Sequence, residues 1–258
     1  YLFLKRNLKK ETMRDFHFAK RLLFFAFVCA IAAVSCKKET YNPDKDGVIG
    51  YDYYPLIPQK YIIYNVEEIT IDKPIERFDT IRYQLKEILV DSISDSSDMK
   101  RYKLERFTRK NENEKWEIKD VWSIWRNDRC LVKVEENIPF LKQTYPLKKN
   151  SVWNGNQFNT NDTMIYRLQY FDKELELNGK KYEKSLQIEY NVKETLFDKT
   201  IESETYVRQI GLVQKQSINI ESQAYKGYTV DVSVPIMKRI TRGTIITWTI
   251  QSHNYKTD

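Results

Sequence analysis

From Tyr61 onward apolar and polar residues alternate with a period of two, the spacing of strands that turn one face to a core and the other to water. Ile81, Tyr83 and Leu85 alternate with Arg82, Gln84 and Lys86, and Ile246, Trp248 and Ile250 with Thr247, Thr249 and Gln251. Turn formers break up the alternation. Asp72-Lys73-Pro74 and Asn111-Glu112-Asn113-Glu114 set off strands near residues 60–71, 75–90, 100–109, 115–126 and 129–135. The sharpest local signal is Leu175-Glu176-Leu177-Asn178-Gly179-Lys180-Lys181-Tyr182, because Asn-Gly accepts the positive φ angles of a two-residue type I′ turn. That turn sets Glu176 opposite Lys181 and Leu175 opposite Tyr182, an ionic pair and an apolar pair on opposite faces. No long helical period follows the N-terminal segment, and helix does not alternate with strand. The predicted fold over residues 51–258 is therefore mainly β, an antiparallel meandering sheet, curved or closed into an open barrel, with few helical turns.

Tyr54-Pro55-Leu56 precedes Tyr61-Ile62 much as Tyr145-Pro146-Leu147 precedes Val152-Trp153. Two readings stay open from this: a single undivided β unit, or two related halves at 51–142 and 143–258.

The first third of a hundred residues follows a different pattern. Met13 to Arg21 ends in two cations, and Leu22 to Val34 is a run of thirteen apolar residues. This is the layout of a signal peptide, and the run is shorter than the roughly 20 residues a bilayer-spanning helix needs. It closes as Ala33-Val34-Ser35-Cys36, which resembles the bacterial lipoprotein signal. That resemblance implies residues 13–35 as a cleaved leader, Cys36 as the lipidated new N-terminus, and a membrane held through that lipid as a partner. Residues 1–12 precede the plausible initiator Met13. Lys37 to Gly47 is polar and turn-rich, so 36–50 reads as a flexible tether. Lys37 behind the Cys differs from the Asp that retains enterobacterial lipoproteins in the inner membrane, so by the same resemblance the outer membrane is expected, facing the periplasm or the cell surface.

The leader also changes the charge balance. The full chain carries 43 Lys and Arg against 36 Asp and Glu, but residues 1–35 hold seven of those cations and two of the anions, leaving 36 against 34. The basic excess belongs to targeting, so nucleic acid is not an expected partner. Only His253 and one thiol besides Cys36, Cys130, remain for chemistry. A histidine-based triad or a multi-His zinc site cannot be assembled from them without using a residue six from the end. Cys130, in an alternating strand pattern, reads as a small buried apolar residue. Asn42, Asp44, Asp46, Gly47 and Ile49 have the spacing of half an EF-hand loop, but Tyr53 stands where the bidentate Glu belongs. There is no phosphate-cradling glycine loop, dinucleotide fingerprint or paired-His motif, so neither a cofactor nor a metal is expected.

Several short motifs lie along the β region: Tyr54-Pro55-Leu56 before an aromatic-rich strand, Val121-Trp122-Ser123, Val134-Glu135-Glu136-Asn137, Trp153-Asn154-Gly155-Asn156 and Ile210-Gly211-Leu212-Val213. Together with the lipid signal they resemble a family of uncharacterised Bacteroidota outer-membrane lipoproteins. The resemblance implies an envelope β protein and attaches no activity to it.

Trp122 and Trp125 are the candidate ligand-binding residues. Three apart in a strand, they point to opposite faces, and an exposed ring there would stack on a sugar. The alternative is that both are packing residues. The expected function is a non-enzymatic binding or accessory module for a glycan or protein ligand, with no catalytic residue nominated. The competing reading is a carboxylate-dependent glycan hydrolase, which needs two facing acids in a cleft. A lipid carrier-like half barrel is a third, less favoured because an anchored chain does not shuttle.

Overall fold

The structure is a computed structural model that describes residues 49–94 and 100–255. The leader, Cys36 and nearly all of the 36–50 tether lie outside the described residues. Twelve strands form one antiparallel sheet curled into a nearly closed barrel. They are β1 (Tyr61–Asp72), β2 (Arg77–Ser94), β3 (Lys100–Arg109), β4 (Glu117–Arg126), β5 (Cys130–Glu135), β6 (Ile138–Thr144), β7 (Val152–Asn154), β8 (Ile165–Leu177), β9 (Lys180–Glu194), β10 (Asp198–Val207), β11 (Gly211–Glu221) and β12 (Arg242–His253). Three short 3-10 turns complete the regular structure of the described residues. The strand order is β6-β5-β4-β3-β2-β1-β12-β11-β10-β9-β8-β7, so the chain meanders outward through β1 to β6, starts again at the far edge, and meanders back to lay β12 against β1.

The strands that the period-two reading anticipates are present, although Ile81, in the apolar phase of β2, is exposed and Gln84, in the polar phase, is buried. The five strands anticipated in the first half begin and end within four residues of β1 to β5. At the Asn178-Gly179 turn both residues have positive φ, 52° and 73°, and Leu175 pairs with Tyr182 and Glu176 with Lys181 as the turn chemistry requires. Although His253 is only the sixth residue from the end, it is held in the sheet, paired with Ile62 at the end of β12.

The first and last strands in sheet order, β6 and β7, meet at a seam rather than a full ladder. The Leu141 N–H donates to the Gly155 carbonyl at 2.8 Å, the Trp153 indole N–H to the Leu141 carbonyl at 2.9 Å, and the Asn159 side-chain amide to the Pro139 carbonyl at 2.8 Å. Gly155 is required there: a Cβ would lie 1.9 Å from the Tyr166 ring. That ring cannot slide away, because it is stacked on Tyr190 with centroids 4.2 Å apart and planes 3° from parallel.

One end of the barrel is filled by the segment that leads into β1. Its Tyr53 and Tyr54 are buried, the Leu147 N–H donates to the Ile49 carbonyl, and the Gln209 N–H donates to the Asp52 carbonyl at 2.7 Å. Arg126 donates to the Tyr51 and Tyr54 carbonyls at 2.9 and 3.3 Å. The segment therefore ties the β6–β7 connection to the β10–β11 turn and closes that end with tyrosine rings.

A second, smaller core lies outside the barrel wall. Ile218, Ile220, Ile236 and Ile240 pack with Ile71, Ile201 and Ile245, and the connection from Ser222 to Thr241 runs over them as a strap.

Replacing Gly155 with Ala should destabilise the protein by about 3 kcal/mol, the upper part of the overpacking range, because the new methyl meets a stacked ring. A urea titration of the variant beside the parent measures it.

Candidate functional site

The interior of the barrel is charged. Alternation places Glu87 on β2, Arg106 on β3 and Asp120 on β4 side by side on the inner face, since Glu87 pairs with Arg106 and Arg106 with Asp120. The Arg106 guanidinium reaches Glu87 at 3.1 Å and Asp120 at 2.9 Å, and Lys133 of β5 reaches the same Glu87 oxygen at 3.2 Å. On the returning arm Glu204 of β10 pairs with Lys215 of β11, whose ammonium is 3.7 Å away. Lys142 of β6 crosses the interior to Glu204 at 2.9 Å and also holds Glu135 of β5 at 3.0 Å. The Tyr206 and Tyr190 hydroxyls donate to the two Glu204 oxygens at 2.5 and 3.2 Å.

Aromatic rings insulate these charges. Arg106 lies 3.5 Å from the Trp122 ring centroid and 5.4 Å from that of Trp248, Lys133 is 4.7 Å from Trp122, and Lys142 stands over Tyr190 and Tyr166. On the side of the N-terminal segment the next inward positions are apolar: Leu104, Ile124, Leu131, Leu186 and Tyr206. Side chains of Glu87, Arg106, Lys142 and Glu204 are at most 5% exposed, whereas Asp120 and Glu135, one inward position further from that segment, are 18% and 15% exposed.

Burial alone would push these carboxylates toward protonation. Lys142, with Lys215 beside it, more than reverses this, holding Glu204 down at about 2 and Glu135 lower still. Lys142 in turn is held protonated, well above its ordinary range, because the two carboxylates outweigh its desolvation. Glu202, two residues before Glu204 on the same strand, is instead raised by its burial while Ser217 donates to it at 2.8 Å.

The two sequence-nominated tryptophans do face opposite ways, but the outward one is the more covered. Trp122 points into the barrel, half-buried, one face taken by Arg106 and its indole N–H donating to Glu136 at 3.2 Å. Trp125 is on the outer wall, yet only 9% exposed, because Phe158 of the β7–β8 loop packs edge-on against it at 5.8 Å. Cys130 is buried at the start of β5, its thiol raised by burial.

The β7–β8 loop itself is a built structure. Asn154 accepts from the backbone N–H of Asn156 and of Met164, both at 3.0 Å, the Asn156 amide donates to the Asp162 carbonyl, and Asn159 bonds Asn156 and Pro139. Thus the Trp153-Asn154-Gly155-Asn156 motif supplies seam, close approach and loop bracing in four consecutive residues. The braced loop and the end of β9 border an open groove of about 760 Å³ lined by Asn156, Thr160, Asn161, Asp162, Thr163 and Asn191 among others. Phe158, 44% exposed, stands on the same loop. Neither this groove nor the charged interior was nominated from sequence.

The chain matches no protein-family model and no curated protein in sequence. Among solved structures it is similar to a Bacteroides fragilis protein described as exported and of YmcC-like fold, at 9% identity and a TM-score of 0.41, covering 78% of this chain and 98% of that one. A Vibrio parahaemolyticus domain described as from an outer-membrane lipoprotein-sorting protein is more distant, at 13% identity and a TM-score of 0.18, covering 76% of this chain and 86% of that one. No helix among the described residues is long and apolar enough to cross a membrane.

The depressed Glu204 and Glu135 stabilise the fold fully above the ordinary carboxylate value of 4.5, and that stabilisation is lost as pH falls from 4.5 to about 2. The raised Lys142 acts with the opposite sign and loses its contribution only on the alkaline side of its ordinary 10.5. Glu204→Gln should cost about 3–5 kcal/mol at neutral pH, since it leaves Lys142 and Lys215 short of a partner, and should flatten the acid slope. Unfolding titrations at a series of pH values test both.

Proposed function

We propose that the protein is a lipid-anchored module of the cell envelope that binds a hydroxyl-rich ligand of the glycan class, and that the groove along the β7–β8 loop is where it binds. The observation that carries this reading is the loop's composition and bracing. Its lining combines the amides and hydroxyls of Thr160, Asn161, Thr163 and Asn191 with the carboxylate of Asp162 and the exposed apolar side chains of Ile165 and Val192, and the exposed ring of Phe158 stands on the same loop. Amides and hydroxyls pair with sugar hydroxyls, and an aromatic face covers the apolar side of a sugar ring. Trp125 enters as the buttress beneath Phe158. Trp122, with one face occupied, enters through its position in the inner wall of β4.

The anchor at Cys36 rests on the leader pattern of residues 13–35, and the outer membrane on Lys37 behind it. Among the alternatives, glycan hydrolysis is less well supported. It calls for one proton-holding and one free carboxylate across a cleft. Glu202 has the raised affinity for a proton, but its neighbour Glu204 is bonded to two lysines and two tyrosines and is 3% exposed, out of reach of a substrate. A lipid carrier would need an open apolar lumen; the barrel's inner face is crossed by ion pairs.

Three measurements follow. Mass spectrometry of the N-terminal peptide from envelope fractions should show Cys36 as the first residue, carrying acyl chains; a chain still starting at Met13 or an unmodified Cys36 excludes the anchor. Glycan-array and calorimetric binding should show Phe158→Ala weakening affinity at least tenfold with a smaller loss of stability than Trp125→Ala, which costs about 3–5 kcal/mol. Release of reducing sugar by the parent chain, abolished by Glu202→Gln, would replace binding by hydrolysis.

A further inference from the structure

Arg239 is a buried cation with one unused donor. It lies at the end of the strap and is 5% exposed. Its Nε donates to the Val234 carbonyl at 2.7 Å and one Nη to the Leu196 carbonyl, while the other, Nη1, is buried and has no hydrogen-bond partner. It makes no ion pair among the described residues, in contrast to Arg106, which is equally buried and has two carboxylates. The exposed Asp231 on the same strap feels the Arg239 charge without bonding it, so a guanidinium taken out of water and bonded only to carbonyls keeps one donor open to an anion.

The surroundings say what kind of anion. The two segments that Arg239 clamps together, the β9–β10 turn and the strap, carry Leu196, Phe197, Val232 and Met237, which are 61%, 45%, 47% and 43% exposed. Beneath the strap lie the isoleucines of the second core. A small hydrated anion gains nothing from that apolar collar, whereas a hydrocarbon tail does. The strap can also admit a ligand. Its bonds to the body are at its ends, Ser222 N–H to the Phe197 carbonyl at 2.7 Å and Thr241 N–H to the Glu221 carbonyl at 2.9 Å. Between Gln223 and Val234 its backbone hydrogen bonds are local, Tyr225 with Tyr228 and Val234 to Asp231, so that stretch can lift while Ile236 and Ile240 stay packed on the second core.

We propose that Arg239 and its collar form a site for a single amphiphile with a monoanionic head, carboxylate or phosphate, whose head pairs with the free Nη1 and whose alkyl tail lies along Leu196, Phe197 and Met237. The site is on the outer wall, separate from the β7–β8 groove, and does not depend on the anchor or on glycan binding.

The test is calorimetry of the full chain with dodecanoate below its micellar range, beside dodecanol and acetate, in the parent and in Arg239→Met. The parent should bind one dodecanoate at least tenfold tighter than dodecanol, with acetate not competing, and Arg239→Met should lose that preference. Because Arg239→Met could loosen the strap, Leu196→Asp serves as a second variant that keeps the guanidinium: it should weaken dodecanoate tenfold or more. Vesicles distinguish the source of the amphiphile. Binding to phosphatidylglycerol over phosphatidylcholine vesicles that is lost in Arg239→Met places the head in a bilayer; dodecanoate binding without vesicle preference places it in solution. Equal affinity for dodecanoate and dodecanol, or a preference unchanged in Arg239→Met, overturns the proposal.

Discussion

Lys142 holds the two arms of the sheet to one another. The meander leaves β6 and β7 as the outermost strands of opposite arms, and the few hydrogen bonds across their seam are too sparse to close a barrel by themselves. Lys142, on β6, reaches across to Glu204 on β10 while keeping Glu135 on β5, so a single ammonium is shared between carboxylates of the outgoing and returning halves. An ion buried that deeply costs several kcal/mol to desolvate, and the cost is met only where geometry supplies every partner. Here tyrosine hydroxyls, a second lysine and aromatic faces complete the set. Directionality is what this adds over an apolar filling: greasy side chains would tolerate a shifted register, whereas Glu204 meets Lys142 in one register only.

The same interior explains what could and could not be read from the chain. The strands and the Asn178-Gly179 hairpin were legible because local alternation and turn chemistry decide them. The charged interior was not, because alternation assigns charge to the wet face. A trace is there in hindsight: Leu85-x-Glu87-x-Leu89, Leu104-x-Arg106 and Leu131-x-Lys133 place charges in the apolar phase of successive strands. Complementary charges in that phase on neighbouring strands mark a polar barrel interior, but recognising them needs the pairing order, which no single strand contains. Trp125 shows the reverse case. Its parity put it on the face opposite Trp122, and its burial depends on Phe158, thirty-three residues away on a loop whose path local pattern does not define.

The asparagines of the β7–β8 loop were legible as a motif but not as a device. Asn154, Asn156 and Asn159 spend their amides on backbone groups and on Pro139 across the seam, leaving Thr160 to Thr163 as the presented surface. Loop rigidity and sheet closure are thus the same set of hydrogen bonds, and a ligand-contacting surface gains the stiffness of the wall it grows from.

The strand order carries a consequence for the making of the protein. β1 has β2 on one side and β12 on the other, so Val66 must wait for Trp248. Contacts that span most of the sequence are the slowest to form. A chain that emerges N-terminus first therefore delivers β1 to β6 with one flank of β1 bare, and only the arrival of the last strand completes the wall. Premature closure on the wrong side is disfavoured by topology alone, and a chain cut short before Arg242 would keep the middle of its sheet open as a sticky edge.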